Sequence, residues 1–299
     1  MRKILFALSL FIVFSGAKSQ QLHFMSQYLQ HNSMYNPAAA GMAKNNMIGI
    51  SYRDMWQAFP GNPKTTMVYG DFDLKNLSSG IGGYIYRDET GATSRTGVQL
   101  AYSYHIKSRN EKNKFAIGLE LRGLQYAINK SKLTDNMNID PVLGGAESKF
   151  LVDAGAGVYW TNSKLSLGAA VSQLIGSKLS LADVSGATQN GRLYCHYNVT
   201  GSYKFNTGDN IYVIPNMMVR LIENSPSELD LGCKVDYQEK VWWALNWRVQ
   251  QFWSIQAGMK IAKRVRLGYA YDYYVSPISI FNAGSGAHEV MLQLDLKKK

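Results

Sequence analysis

The chain has 299 residues, of which 46% are hydrophobic, 12% aromatic and only 18% charged, with 27 Gly and 19 Tyr. The aromatic content excludes a disordered chain, and the low charge and many glycines exclude a coiled coil. Mean hydropathy is -0.20 and no apolar run approaches the ~20 residues of a membrane-spanning helix, so a Tyr- and Gly-rich all-β protein remains.

The chain starts with an address. Met1-Arg2-Lys3 is a positive leader and Ile4 to Phe14 an apolar stretch too short to cross a bilayer. Ala17-Lys18-Ser19 has the small-x-small form of a cleavage site. Residues 1–19 therefore read as a signal peptide for Sec export, with the mature chain beginning near Gln20. The formal net charge is +11, and the balance stays basic once Arg2, Lys3 and Lys18 are removed. In an exported protein this suits anionic surfaces or lipids better than nucleic acid, and equally suits a solvated surface.

Residues 20–46 read as an N-terminal lead-in, periplasmic or plug-like. It holds Met25-Ser26-Gln27-Tyr28 and then Tyr35-Asn36-Pro37-Ala38-Ala39-Ala40-Gly41. Asn-Pro starts a turn and Gly41 permits a positive φ, so a structured piece that tucks into a barrel mouth is expected.

From residue 47 to 299 the chain alternates with period two. In 264–273, Val265, Leu267, Tyr269, Tyr271 and Tyr273 share one face, opposite Arg264, Arg266, Gly268, Ala270 and Asp272. The same pattern recurs in the segments containing Leu119, Leu167, Tyr197, Leu231, Leu245, Ile255 and Leu292. The second face mixes Gly, Ala and Ser with charges of both signs, which suits a lumen better than the outside of a soluble sandwich. By phase Lys204, Arg220, Arg248, Lys260, Arg264 and Arg266 point inward with Glu120, Asp230, Asp236, Asp272 and Asp295. Aromatic residues near the strand ends, such as Tyr159-Trp160, Trp242-Trp243, Phe252-Trp253 and Tyr273-Tyr274, suit an interfacial girdle.

Strands are predicted at 47–53, 65–73, 80–87, 95–106, 114–126, 150–160, 164–174, 192–204, 211–222, 227–237, 241–249, 252–261, 264–274 and 287–296. The second and third alternate poorly, and Pro215 implies a weak strand or a bulge. About fourteen is an even number, as single-chain bacterial barrels require. The connections sort alternately. One set is short and polar, for example Thr161-Asn162-Ser163 and Gln238-Glu239-Lys240. The other holds every long one, namely Asp54 to Lys64, Ile128 to Lys149, Ile175 to Gly191 and Val275 to Gly286. Outer-membrane barrels divide their periplasmic turns and outer loops in this way. The expected fold is a transmembrane antiparallel up-and-down β-barrel in a Gram-negative outer membrane. Cys195 and Cys233 lie on the lipid-facing phase of strands separated by another strand, about 9–10 Å apart at ordinary strand spacing and beyond disulfide reach.

The first long connection, Tyr52-Arg53-Asp54-Met55-Trp56-Gln57-Ala58-Phe59-Pro60-Gly61-Asn62-Pro63-Lys64-Thr65, is too stiff and aromatic for a solvated spacer. It folds against the wall or offers a partner an apolar anchor. Together with Tyr28, Tyr35, Asn36 and Pro37, the residues Arg53, Trp56, Phe59, Pro60, Gly61 and Pro63 are candidates for a plug or partner contact. So are Tyr271, Asp272, His288 and Glu289 in Gly268-Tyr269-Ala270-Tyr271-Asp272-Tyr273 and Gly284-Ser285-Gly286-Ala287-His288-Glu289-Val290.

These stretches carry a resemblance. Ser26-Gln27-Tyr28, Tyr35-Asn36-Pro37-Ala38 with Gly41, Tyr52-Arg53 with Trp56, Phe59, Gly61, Pro63, Lys64 and Thr65, and the two C-terminal motifs resemble the PorP/SprF family of type IX secretion system membrane proteins of Bacteroidetes-type bacteria. They span both ends of the mature chain. The middle, from about Asp88 to Arg264, matches only as barrel pattern. The tail Leu296-Lys297-Lys298-Lys299 departs from the terminal aromatic of many outer-membrane barrels. The resemblance implies a non-enzymatic outer-membrane component of type IX secretion or of gliding-adhesin display. Its implied partners are the secretion machinery, periplasmic ring components or the C-terminal signal of exported cargo.

Other chemistries fit poorly. His105, His196 and His288 stand where a hydrolase base would, His288-Glu289 most suggestively, but no nucleophile motif accompanies them. His23 and His31 lack metal-ligand spacing, and Gly80, Gly82 and Gly83 lie in a strand, not a phosphate loop. No catalytic group, metal or cofactor is expected. Arg264 and Arg266 could line an anion path, but pairing with lumen acids such as Asp272 is the expectation. Three readings follow: a secretion-apparatus protein, a channel for small or hydrophobic solutes, and an enzyme dependent on His288. The crowded lead-in and bulky Trp242, Tyr194 and Arg248 favour a plugged barrel.

Overall fold

The structure, a computed structural model, describes residues 24–107, 113–129, 132, 148–179, 191–223, 225–275, 279 and 286–296. The expected signal peptide, the start of the lead-in, most of the three longest connections and the Lys297–Lys299 tail lie outside the described residues.

Alternating apolar and polar residues give long antiparallel strands, because successive side chains leave a strand on opposite faces. They are β1 (Asn46–Met55), β2 (Lys64–Leu74), β3 (Ser79–Thr90), β4 (Thr93–Lys107), β5 (Lys114–Ile128), β6 (Ser148–Thr161) and β7 (Leu165–Ser172). Next come the two-residue pieces β8 (Lys178–Leu179) and β9 (Gly191–Arg192), then β10 (His196–Tyr203), the two-residue β11 (Phe205–Asn206) and β12 (Ile211–Ile222). The chain ends with β13 (Glu228–Tyr237), β14 (Val241–Arg248), β15 (Phe252–Lys260), β16 (Val265–Tyr274) and β17 (Ala287–Leu296).

Each long strand pairs with its neighbours in sequence, and β1 pairs with β17 from Asn46↔Leu296 to Met55↔Ala287. With β10 on β12, the sheet closes into a fourteen-stranded barrel, extended by β11 at one edge of β12. All fourteen predicted strands are present. β10 begins later than expected, so Leu193 and Cys195 precede it, and Cys195 Sγ lies 3.4 Å from the Gln173 carbonyl. Both cysteines are free. Pro215 does not make a bulge. The β10–β12 ladder stops at Ser202↔Asn216 and β11 resumes it at Phe205↔Val213 in the same register. The interruption falls where proline has no N–H to donate.

The outside is apolar. Leu100 is 64% exposed and Leu119, Ile85 and Ile255 are similarly bare, as a wall facing acyl chains must be. The predicted girdle needs correction. Trp160, Trp243, Trp253 and Tyr273 take the outer phase, but their neighbours Tyr159, Trp242, Phe252 and Tyr274 are buried inside. Adjacent residues of one strand cannot share a face. The strand ends that flank every long connection lie at one end of the barrel, hereafter the loop end. The other is the turn end, with its tight turns at 162–164 and 238–240.

Candidate functional site

The lumen is the candidate site, and the lead-in occupies it. Residues 24–45 enter beside the loop-end halves of β1, β15 and β16 and leave at the turn end to become β1. The segment has no period-two pattern and forms three one-turn 3-10 helices, Tyr28–Gln30, Asn32–Met34 and Pro37–Ala39. Asn36 caps the last: its Oδ1 accepts the Ala38 N–H at 3.0 Å, and Pro37 supplies the preset φ of a first helical position.

The Asn-Pro turn sits on a wall stripped of side chains. A Cβ on Gly118 of β5 would lie 2.5 Å from the Ala38 Cα, and one on Gly168 of β7 would lie 2.7 Å from Asn36 Nδ2. Asn36 Nδ2 also donates to the Val158 carbonyl at 2.9 Å. Below it Gly41, at φ +70°, meets Gly80, and its N–H donates to Asp71 at 2.8 Å. The Ala40 carbonyl accepts from Ser103 Oγ at 2.6 Å, with His105 Nε2 3.0 Å away. Glycine is required here because backbone packs on backbone.

Towards the loop end the contacts become ionic. Arg53 of β1 reaches Asp272 of β16 at 2.5 Å and Glu289 of β17 at 3.3 Å, all fully buried. The lead-in completes this triad. Ser26 N–H and Gln27 N–H donate to the two Glu289 oxygens at 2.7 and 3.1 Å. Ser26 Oγ receives Arg53 Nη1 at 2.7 Å and donates to Asp272 at 2.6 Å. Beside it Arg248 pairs with Asp230 at 2.9 Å and Arg220 with Glu228 at 3.1 Å. The Phe24 ring lies under these cations, with Arg248 3.3 Å and Arg220 5.2 Å from its centroid. On the opposite wall Glu120 binds Arg122 at 2.7 Å, and Arg122 also donates to Tyr84 at 2.9 Å.

Between these layers the lead-in is aromatic. Tyr28 donates to Asn216 at 3.1 Å and packs edge-on to Tyr35, whose hydroxyl accepts the Met25 N–H at 3.1 Å. Burial pushes both phenols above their ordinary pKa. His31 stacks on Tyr69 with ring centroids 4.4 Å apart. Burial pulls its pKa down to about 3, so the ring is neutral.

The predicted residues divide. Tyr28, Tyr35, Asn36, Pro37, Arg53, Asp272 and Glu289 converge on the plug. Trp56 joins it only at the edge: its ring meets Tyr274 at 5.9 Å and its backbone N–H donates to the Gly286 carbonyl at 3.0 Å. The Pro63 carbonyl accepts the Met55 N–H at 3.0 Å, while Phe59, Pro60 and Gly61 are exposed. Tyr271 and His288 do not converge. They take the outer phase, where His288 Nδ1 lies 2.7 Å from the Tyr269 hydroxyl. His288 and Glu289 therefore face opposite sides of the wall and cannot act as a pair. Arg266 pairs with Asp295 at 2.7 Å and not with Asp272, which Arg53 occupies; Arg264 is exposed.

Phe24, Ser26, Gln27, Arg122 and the glycine wall were missing from the candidate list. The inner phase and cross-strand register, as in Arg53↔Glu289 and Asp230↔Arg248, could have exposed the charged pairs. Nothing local marks the lead-in's partners. Among the described residues, no three His, Cys, Asp or Glu side chains could hold a metal ion.

The lumen can thus hold a polypeptide segment by buried charge-assisted hydrogen bonds at one end and close backbone packing at the other.

No curated protein matches the chain in sequence. Solved structures it is similar to include the Ralstonia pickettii toluene transporter TbuX, at TM-score 0.51 and 12% identity over 88% of this chain and 93% of that one. The CymD monoaromatic hydrocarbon channel gives 0.49 and 9%, over 92% and 94%. At such identity the likeness to TbuX is one of fold. In sequence, the family model of the type IX secretion system membrane protein PorP/SprF matches residues 17–294, nearly the whole chain, which therefore belongs to that family.

Proposed function

We propose that this outer-membrane component of type IX secretion works without enzymatic chemistry, by binding machinery partners or the signals of exported surface cargo, of the adhesin and gliding type. It reaches the outer membrane through Sec with its first 19 residues cleaved, and residues 20–46 serve as its plug. One observation carries the reading beyond family membership: the lumen is occupied by the chain's own lead-in, held through the buried Arg53–Asp272–Glu289 triad. A barrel filled in this way is a scaffold that presents its ends to partners. The alternative, a channel for small or hydrophobic solutes, shares the fold of the transporter TbuX but needs a lumen that can be vacated. Affinity isolation from native outer membranes, followed by identification of what co-purifies, tests the proposal. Secretion-machinery proteins or cargo are expected. Recovery of the bare barrel alone, with strong solute conductance in planar bilayers, would overturn it.

A further inference from the structure

The two ends of the lumen treat charge differently. At the loop end and mid-lumen each inward-facing arginine has its own acid: Arg53 has Asp272, Arg122 has Glu120, Arg220 has Glu228 and Arg248 has Asp230. At the turn end four cations face inward from β13, β15, β16 and the residue after β10. They are Lys234, Lys260, Arg266 and Lys204, and the acids among them are Asp236 and Asp295, with Glu239 of the 238–240 turn close enough to Lys204 and Arg266 to feel their charge. Asp295 is shared, at 2.7 Å from Arg266 and 3.8 Å from Lys260. Asp236 stands 3.8 Å from Lys234. Lys204 has no carboxylate within ion-pair distance among the described residues, and its ammonium rests 3.7 Å over the Tyr212 ring.

The lead-in touches this side only at its end, where Asn45 Nδ2 donates to Asp295 at 3.3 Å and Lys44 reaches Glu239. Its Pro37–Ala39 turn packs on β4, β5, β6 and β7. No hydrogen bond or ion pair joins the described lead-in residues to Lys204, Lys234, Lys260 or Arg266. Lys44 crosses to Glu239 at 2.5 Å, a pair neutral in sum. The four cations point into the lumen, so the barrel wall stands between them and lipid headgroups. A chain entering from the periplasm, where the short turns of such barrels lie, meets Lys204, Lys260 and Arg266 first, with Lys234 deeper, 5.3 Å over the Trp242 ring.

We propose that the turn-end mouth is a docking site for an acidic polypeptide segment of a periplasmic partner, received by Lys204, Lys234, Lys260 and Arg266. The inference rests on the partner-binding reading above and names the chemistry of that partner. A flexible, carboxylate-rich stretch fits: it supplies the close ion-pair partner that Lys204 lacks among the described residues and relieves the sharing of Asp295. Such contacts steer association and weaken with salt.

The test uses the full-length barrel in nanodiscs of neutral lipid and a fluorescent Glu-rich peptide, with a Gln-rich peptide as control. Saturable binding of the Glu-rich peptide, weakened by salt and by at least about tenfold in the Lys204→Gln/Lys260→Gln double variant, is expected. Lys64→Gln at the opposite rim should leave it unchanged, and an unaltered melting temperature shows that the double variant is folded. Equal binding of both peptides, or binding indifferent to the double variant, overturns the proposal. So does a double variant whose only defect is weaker association with vesicles containing phosphatidylglycerol. Partner recovery from native membranes separates the two readings. If wild type and double variant recover the same partners equally, the docking site is wrong and the secretion reading stands. If the wild type recovers none, the secretion reading itself fails.

Discussion

Glu289 accepts the backbone N–H of Ser26 at 2.7 Å, across 263 positions of sequence. The last strand thus grips the start of the described chain, and Arg53 neutralises the carboxylate that does so. The wall and its filling form one electrostatic unit.

Removing one member of that unit leaves a buried charge without its partner. Arg53→Met should destabilise the folded barrel by about 3–5 kcal/mol. Arg87→Gln, which breaks an exposed pair with Glu89, should cost about 0–1 kcal/mol. Denaturant titration of the barrel in detergent, followed by Trp fluorescence, measures both. Equal losses would contradict the burial of the triad.

A methyl group on the glycine wall should displace the lead-in without opening the barrel. Gly118→Ala places a Cβ against the Ala38 backbone and should cost about 1–3 kcal/mol. Protease sensitivity of the lead-in should rise, and ion conductance in planar bilayers should rise with it. Gly123→Ala is the control: it faces outward, where the nearest atoms are side chains 3.0 Å or more away.

Acid should loosen the lead-in through His31. In place, its pKa is about 3 against an ordinary 6.5. The docked state therefore binds fewer protons than the released one. Its contribution to docking is complete above about pH 6.5 and is lost as pH falls towards 3. Limited proteolysis against pH should show release beginning below about 6.5, and His31→Gln should flatten that part of the curve. A profile identical in the variant would place the sensitivity in the carboxylates.

The outer wall should reject charge. Leu100→Arg, at mid-strand on the exposed face of β4, should lower stability in bilayers by about 2–4 kcal/mol, whereas Leu100→Ala should cost much less. Reversible folding into lipid vesicles measures it. Tolerance of arginine there would mean that this face does not meet acyl chains.

The barrel itself was legible because period-two alternation is local: each strand announces its two faces within a few residues. The poorly alternating strands at 65–73 and 80–87 now have a cause. Met67, Tyr69, Tyr84 and Tyr86 face inward and pack with Met25, Met34 and Tyr35 of the lead-in, so both faces are apolar there. Blurred alternation was the trace of a filled lumen. The route of the lead-in was not legible, because its partners lie from 27 residues away, as Arg53 from Ser26, to 263, as Glu289 from Ser26, and no short-range pattern encodes them. The Tyr271-Asp272 and His288-Glu289 motifs misled for a simpler reason: neighbours in a strand look in opposite directions.

The pairing of β1 with β17 has a consequence for biogenesis. Because that seam joins β1 to β17, the ring cannot be shut until β17 has arrived. The same strand that shuts the ring carries Glu289, so the grip on Ser26 and Gln27 is complete only once that last strand is in place, and closure and filling share one final piece.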